Sequence, residues 1–288
     1  MPKTKPTFTI VIPALNEEKY LPNLLEDLSK QSANDFEVIV VDGSSEDKTV
    51  LKAKKFSKKI NLRVRVVKKR NVSHQRNVGG KMAKADWIIF MDADNRLPEY
   101  LLDGIRYRIA KSPTTDIFTL WVRVKSNDRL DKTIEQLINI GTEIFLKLGK
   151  EAALGAFIGC RKTVLKIISF DEKIKYAEDG KFTKEASDSG YIFSIFRDPY
   201  YFYSLRRMKA SGTLSTMRTV APLLLKFLRG KDILEVDNYP MEGGSYYDQL
   251  SEKERSILHN VSTFIKTATI RQRKEITKIV KKLTDSLD

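Results

Sequence analysis

Asp92 and Asp94 stand one residue apart at the end of an apolar run, residues 85–91 (Ala-Asp-Trp-Ile-Ile-Phe-Met). Carboxylates this close repel each other, and a divalent cation removes the conflict. Hard oxygen ligands suit Mg²⁺ or Mn²⁺. Mg²⁺ is commonly held by one or two carboxylates plus substrate phosphates, so this spacing points to a metal–diphosphate site. For an isolated Asp-x-Asp the plainer explanation is a solvated turn with two acids.

Other acids and cations recur at comparable places. Asp42 closes the apolar run Phe36–Val41 and precedes Gly43-Ser44-Ser45. It can accept from a base N–H or a ribose hydroxyl, or simply cap the turn. Pro13-Ala14-Leu15-Asn16-Glu17 leaves the first apolar run, where Asn16 also suits the start of a helix. Arg76-Asn77 can clamp a phosphate and orient loops, or lie on a solvated helix face. Glu178-Asp179-Gly180 follows Phe170-Asp171-Glu172 and opens a helical stretch. Asp179 is a candidate base for taking a proton from an acceptor hydroxyl, with an ordinary helix cap as the alternative. Arg206-Arg207 can grip a diphosphate or belong to a solvated basic loop. His74 and His259 lie in no metal-ligand spacing.

The elements that must carry these residues alternate. Strands are expected at 8–12, 36–41, 62–67 and 85–91, with helices over about 21–28, 45–56 (capped by Ser45) and 74–83. Further strands are expected at 116–124, 191–195 and 199–203, and helices at 130–148, 163–168 and 181–189; residues 149–159 read as a small-residue loop. Such alternation predicts an α/β fold with a mostly parallel sheet flanked by helices. Ligands then bind beyond the carboxyl ends of the strands, where Pro13–Glu17, Asp42 and Asp92–Asp94 all fall. The C-terminal part reads as a helical extension, with apolar faces at Ile257–Ala268 and Ile276–Leu287.

Taken in order, these segments resemble the family-2 inverting glycosyltransferases. The matching pieces are Val11–Glu18, Val40–Thr49, Arg76–Gly79, Met91–Asp94, Phe170–Glu172, Ala177–Asp179 and Ser204–Arg207, covering residues 8–212. The resemblance implies a Rossmann-like GT-A domain over residues 1–212, with a nucleotide-sugar half to about 95 and an acceptor half from 96. Residues 213–288 lie outside it. It implies a nucleotide-sugar donor and a glycan or lipid-linked hydroxyl acceptor. Asp42 would sit at the nucleobase, with Pro13, Ala14, Asn16 and Glu17 shaping the nucleotide pocket. Asp92 and Ala93 would lie near the ribose, and Asp94 with Asp92 would hold Mg²⁺ or Mn²⁺. Asp179 would be the base, Arg76 a phosphate contact, and Arg206 and Arg207 would face the diphosphate or acceptor. The chain departs from the family's processive polysaccharide synthases in lacking Gln-x-x-Arg-Trp. It departs from many polyprenyl-phosphate sugar synthases in continuing Asp-Ala-Asp with Asn95-Arg96-Leu97-Pro98.

Composition narrows the field. The 288 residues carry a net charge of +15 and a single cysteine, Cys160, so no intramolecular disulfide can form. The amino-terminal stretch has no apolar signal core, and no apolar run is long enough to span a bilayer, which predicts a cytoplasmic protein. Between Pro199 and Lys231 there are seven basic residues and no acidic one. Residues 214–231 mix these with leucines, which suits peripheral contact with an anionic inner membrane face or a core-packed helix. Dehydrogenase and P-loop signatures are missing. The competing functions are a sugar nucleotidyltransferase, which would want a glycine-rich phosphate loop after the first strand, and a non-catalytic basic module. Nucleic acid is not an expected partner of the enzyme.

Overall fold

A computed structural model describes residues 5–147, 155–174 and 177–206. The chain divides into two compact units; described residues up to Ser204 belong to the first, and Leu205 and Arg206 begin the second. The expected C-terminal helices, residues 214–231 and Arg207 lie outside the described residues.

The first unit is built on one seven-stranded sheet, ordered β3-β2-β1-β4-β6-β5-β7. Its strands are β1 (Phe8–Ala14), β2 (Phe36–Asp42), β3 (Leu62–Val66), β4 (Trp87–Met91), β5 (Ile117–Arg123), β6 (Phe157–Arg161) and β7 (Phe193–Phe202). All run parallel except β6, which is antiparallel to both β4 and β5. Every residue of β1, β2 and β4 is buried, as expected of central parallel strands covered on both faces. The helices are α1 (Leu21–Ser29), α2 (Thr49–Lys54), α3 (Val72–Met82), α4 (Leu101–Lys111), α5 (Arg129–Lys147) and α6 (Glu178–Asp188).

Alternate strand residues feed two cores. One face joins Ile10, Ile12, Val38, Val40 and Ile89 to the leucines of α1 and α4; the other joins Val11, Ile39, Val41, Ile88 and Phe90 to Phe170 and Phe182. α1 keeps Leu21, Leu24, Leu25 and Leu28 on its buried face, and Pro22 falls in the first turn, where no amide hydrogen is needed. α3 comes unusually close to the sheet: a Cβ on Gly79 would sit 2.2 Å from Val11 Cγ1. Only glycine permits that approach, and it brings the start of α3 to the carboxyl ends of β1 and β2.

Several expectations are corrected. Residues 157–161 are not part of a loop but form β6 inside the sheet. Gly159 is small because Phe118 lies over it, 2.2 Å from where a Cβ would be. Ser45 does not cap a helix: its hydroxyl turns back to Asp42, and α2 starts at Thr49. Asn16 is not a helix cap either, because α1 begins five residues later and Asn16 holds a left-handed turn with φ of 53°. The two short strands expected at 191–195 and 199–203 are one strand, β7, and α6 begins at Glu178 rather than Lys181.

Candidate active site

The carboxyl ends of β1, β2 and β4 share one edge of the sheet. Ala14 pairs in register with Asp42, and Val11 pairs with Phe90, one residue before the end of β4. Asp42 is fully buried, and its carboxylate accepts from the Ser45 amide at 2.9 Å and from the Ser45 hydroxyl. Asn16 faces the same turn: its amide donates to Ser45 Oγ at 2.8 Å, and its side-chain oxygen accepts from the Glu46 amide at 2.9 Å. The buried Glu17 donates its amide to Thr49 Oγ1. Pro13 and Ala14 are buried beneath this loop pair.

Two neighbouring residues of α3 tie the edge together. Gln75 Nε2 donates to Ala14 O at 2.8 Å and to Val41 O at 2.7 Å, so it clamps the ends of β1 and β2. Arg76 reaches the other way. Its Nη1 donates to Glu178 Oε1 at 2.8 Å, and its Nη2 donates to Gly155 O at 2.8 Å and lies 3.4 Å from Asp92 Oδ1. The guanidinium also stands over the Phe170 ring, 5.2 Å from its centre. Burial acts to weaken this cation, but the charges of Glu178, Asp92 and Asp179 outweigh it and push its pKa above the ordinary value.

Asp92 and Asp94 are half-buried on the turn after β4. The Asp92 amide donates to Ala156 O at 3.1 Å, and Asn95 Nδ2 donates to the same carbonyl at 2.6 Å. Arg96 then anchors the turn: its guanidinium grips Asp27 at 2.6 and 2.7 Å, and its backbone pairs with Phe202 of β7.

Asp179 is in the first turn of α6, yet the helix does not keep it a strong acid. Burial raises its pKa first and the Glu178 charge adds to it; Arg76 and the amides of Gly180 and Gly155 oppose them. The balance leaves the carboxyl at about 7. Its Oδ1 accepts from Gly180 N at 2.8 Å and its Oδ2 from Gly155 N. A Cβ on Gly155 would lie 2.7 Å from Asp179 Oδ2 and 3.1 Å from Arg76 Nη2, so this corner is closed to any side chain.

Asp92, Asp179 and Arg76 therefore meet around Gly155, and Gln75 connects them to the Asp42 corner through one turn of α3. Phe170-Asp171-Glu172 flanks the cluster. Asn77 brackets Phe170, donating to its carbonyl at 2.8 Å and accepting from its amide at 2.9 Å. Arg206 belongs to the second unit. Sequence reasoning missed Gln75, Gly155 and Asn95. Only Gln75, adjacent to Arg76, carried any signal.

The residues present suit a divalent cation. Asp92 and Asp94 offer hard oxygens on one turn, and no third His, Cys, Asp or Glu joins them among the described residues. A cation there would draw its remaining ligands from water and phosphate oxygens, as Mg²⁺ commonly does.

The sequence profile of Glycosyl transferase family 2 matches residues 9–168, more than half of the chain. The chain belongs to glycosyl transferase family 2. It is 29% identical over 214 residues to poly(ribitol-phosphate) beta-N-acetylglucosaminyltransferase TarS of Staphylococcus aureus strain MW2, covering 69% of this chain and 36% of that protein. The chain thus spans about a third of that relative's length. An uncharacterized glycosyltransferase of Haemophilus influenzae is 22% identical over 92% of both chains. Among solved structures, the fold matches a Pyrobaculum calidifontis mannosyltransferase in complex with GDP-Man and Mn²⁺, with a TM-score of 0.60, 16% identity, and coverage of 98% of this chain and 87% of that one. It also matches S. aureus TarS 1–349 in complex with UDP-GlcNAc, with a TM-score of 0.56, 21% identity, and coverage of 93% and 77%. This family-2 chain therefore has the GT-A-like architecture. Among the described residues, no helix is long and apolar enough to cross a membrane.

Proposed function

We propose that this family-2 enzyme moves a sugar from a nucleoside-diphosphate sugar to a hydroxyl acceptor with inversion at the anomeric carbon. The observation that carries the reading is the half-buried Asp179, placed beside the Asp92 turn by the Gly155 amide, with desolvation and the Glu178 charge raising its pKa to about 7 against Arg76 and the backbone amides. A carboxylate poised near neutrality can take a proton from an attacking hydroxyl.

Under this reading Asp42, Asn16 and Glu17, with Pro13 and Ala14 beneath them, frame the nucleobase and ribose. Asp92 and Ala93 line the ribose side. Asp94, with Asp92, would hold Mg²⁺ or Mn²⁺. When bound, such a cation supplies positive charge against the diphosphate as the sugar leaves. Arg76 keeps the Asp92 turn and the Glu178–Asp179 turn at a fixed separation. Asp179 accepts the acceptor's proton on the face opposite the leaving nucleotide. The sugar passes through a state with oxocarbenium character, as in glycoside hydrolysis. Arg206 and Arg207 remain candidate contacts for the diphosphate or acceptor.

The relatives supply the first substrates to try: UDP-GlcNAc as donor, and a phosphate-linked polyol or glycan chain as acceptor. An anionic acceptor also suits the net charge of +15. Residues 214–231 are a candidate contact for an anionic membrane surface, on sequence grounds.

The test is donor turnover across UDP-, GDP- and dTDP-sugars with Mn²⁺ or Mg²⁺, for the wild type and Asp94→Asn. Transfer should require the cation and fall by at least about a hundredfold in the variant, the scale of losing a main electrostatic contributor. A nucleotidyltransferase would instead form nucleotide-sugar from a sugar phosphate. A basic binding module would turn over nothing, and its Asp94→Asn variant would bind polyanions as well as the wild type does.

A further inference from the structure

Tyr201 is fully buried, and its hydroxyl has no hydrogen-bond partner among the described residues. An unpaired buried hydroxyl costs stability, so an ordinary core would select phenylalanine here. The packing needs only the ring: Tyr201 stacks on Phe157 with centroids 5.1 Å apart and planes inclined by 28°, in a core that already holds Phe118 and Phe196. The oxygen is what packing leaves unexplained.

Its place in the fold supplies a reason. Phe202, the next residue of β7, exchanges backbone hydrogen bonds with Arg96 at 3.0 and 2.8 Å, which fastens β7 beside the Asp92–Asn95 turn. Phe157, beneath the Tyr201 ring, follows Ala156, whose carbonyl receives Asp92 N and Asn95 Nδ2. Burial first, then Tyr203 and the charges of Asp92, Asp94 and Asp179, keep the phenol protonated well above its usual range. Tyr201 thus carries an unpaired donor on the strand fastened to the Asp92–Asn95 turn.

We propose that Tyr201 is a positioning residue of the donor site, its O–H held in reserve to hydrogen-bond the Asp92–Asp94 carboxylate pair and fix their orientation when a metal–diphosphate is seated. This rests on the nucleotide-sugar reading above. It adds a group to that site from the far end of the sheet, where no motif points.

The experiment compares wild type, Tyr201→Phe and Asp94→Asn by thermal unfolding, by calorimetric binding of UDP or GDP with Mn²⁺, and by donor turnover. Tyr201→Phe should unfold at the same temperature as wild type or higher, because the stranded hydroxyl is gone. It should nonetheless bind Mn²⁺–nucleotide about tenfold more weakly, a difference of about 1.4 kcal/mol, with kcat/KM falling in step. Unchanged binding and turnover in a variant of active wild type would overturn the proposal and leave the ring as mere packing. A melting temperature several degrees lower would also overturn it, since the hydroxyl would then have a structural partner. A wild type that neither binds Mn²⁺–nucleotide nor turns over any donor would sink the donor-site reading itself, an outcome separate from parity of the variant.

Discussion

Arg76 Nη1 lies 2.8 Å from Glu178 Oε1, joining residues 102 positions apart in the chain. The same guanidinium reaches Asp92 and Gly155 O, and its side chain is only 3% exposed. One buried cation thus sets the spacing between the turn after β4 and the start of α6.

Removing that cation should be costly. Arg76→Met leaves Glu178 and Asp92 without their buried partner, and breaking such a pair commonly costs about 3–5 kcal/mol. Arg76→Lys keeps the charge but cannot serve three acceptors with one planar fork, so it should fall between wild type and Met. Urea unfolding of the three proteins gives the ranking. Equal midpoints would mean that the cluster contributes nothing to the fold.

Asp179 predicts opposite pH trends for activity and stability. Its folded pKa, about 7, is above the unfolded value of 3.8. The protonated form is favoured by folding, so its contribution is complete below about pH 4 and is lost as pH rises through 7. Activity needs the ionised form, so kcat/KM should climb over the same range with a midpoint near 7. Asp179→Asn should abolish transfer and flatten that part of the stability profile. A pH–rate curve already level at pH 5 would remove Asp179 as the base.

Gly155→Ala tests the closed corner. The added methyl meets Asp179 Oδ2 at 2.7 Å and Arg76 Nη2 at 3.1 Å, and both groups are held by other bonds. Stability should drop by about 1–3 kcal/mol, as for other overpacked sites. Activity should drop further, by about a hundredfold, because displacing a reacting group by about 1 Å has that scale of effect. Steady-state kinetics beside thermal melts would separate the two.

Glu172 contributes to acid behaviour. Lys69 foremost, with Asn77 and His74, holds its carboxyl at about 2 against an ordinary 4.5. Its stabilising contribution is present above 4.5 and fades as pH falls toward 2. Lys69 is half exposed, so salt should weaken the effect. Glu172→Gln should lose stability at neutral pH and converge with wild type near pH 2; equilibrium unfolding at several pH values measures this.

The sequence made the sheet's carboxyl edge readable because β1, β2 and β4 are largely apolar runs, with Asp42 closing β2, Asp92 following β4 and Asp179 in the first turn of α6. It hid β6. A strand of five residues containing Gly159, preceded by alanines and glycines, has a loop's composition; only the Phe118 ring overhead explains the missing side chain. Gln75 and Tyr201 were hidden for another reason. A glutamine on a helix and a tyrosine in an apolar strand are ordinary by type, and only their partners, or the want of one, set them apart. Asn16 and Ser45 suited helix caps by composition, but each finds its hydrogen bond across the paired loops instead, a choice that depends on β1 and β2 being neighbours.

Because β6 runs against its neighbours, the chain enters it at the edge where β1, β2 and β4 leave the sheet. Gly155 and Ala156 consequently present bare peptide groups to Asp92, Asn95, Arg76 and Asp179. Point substitutions other than to proline leave those amides and carbonyls in place. Inserting a residue between Ala156 and Phe157 would slide them out of place at once. Evolutionary drift at Ala156 should therefore be tolerant of residue identity, and the junction with β6 intolerant of changes in length.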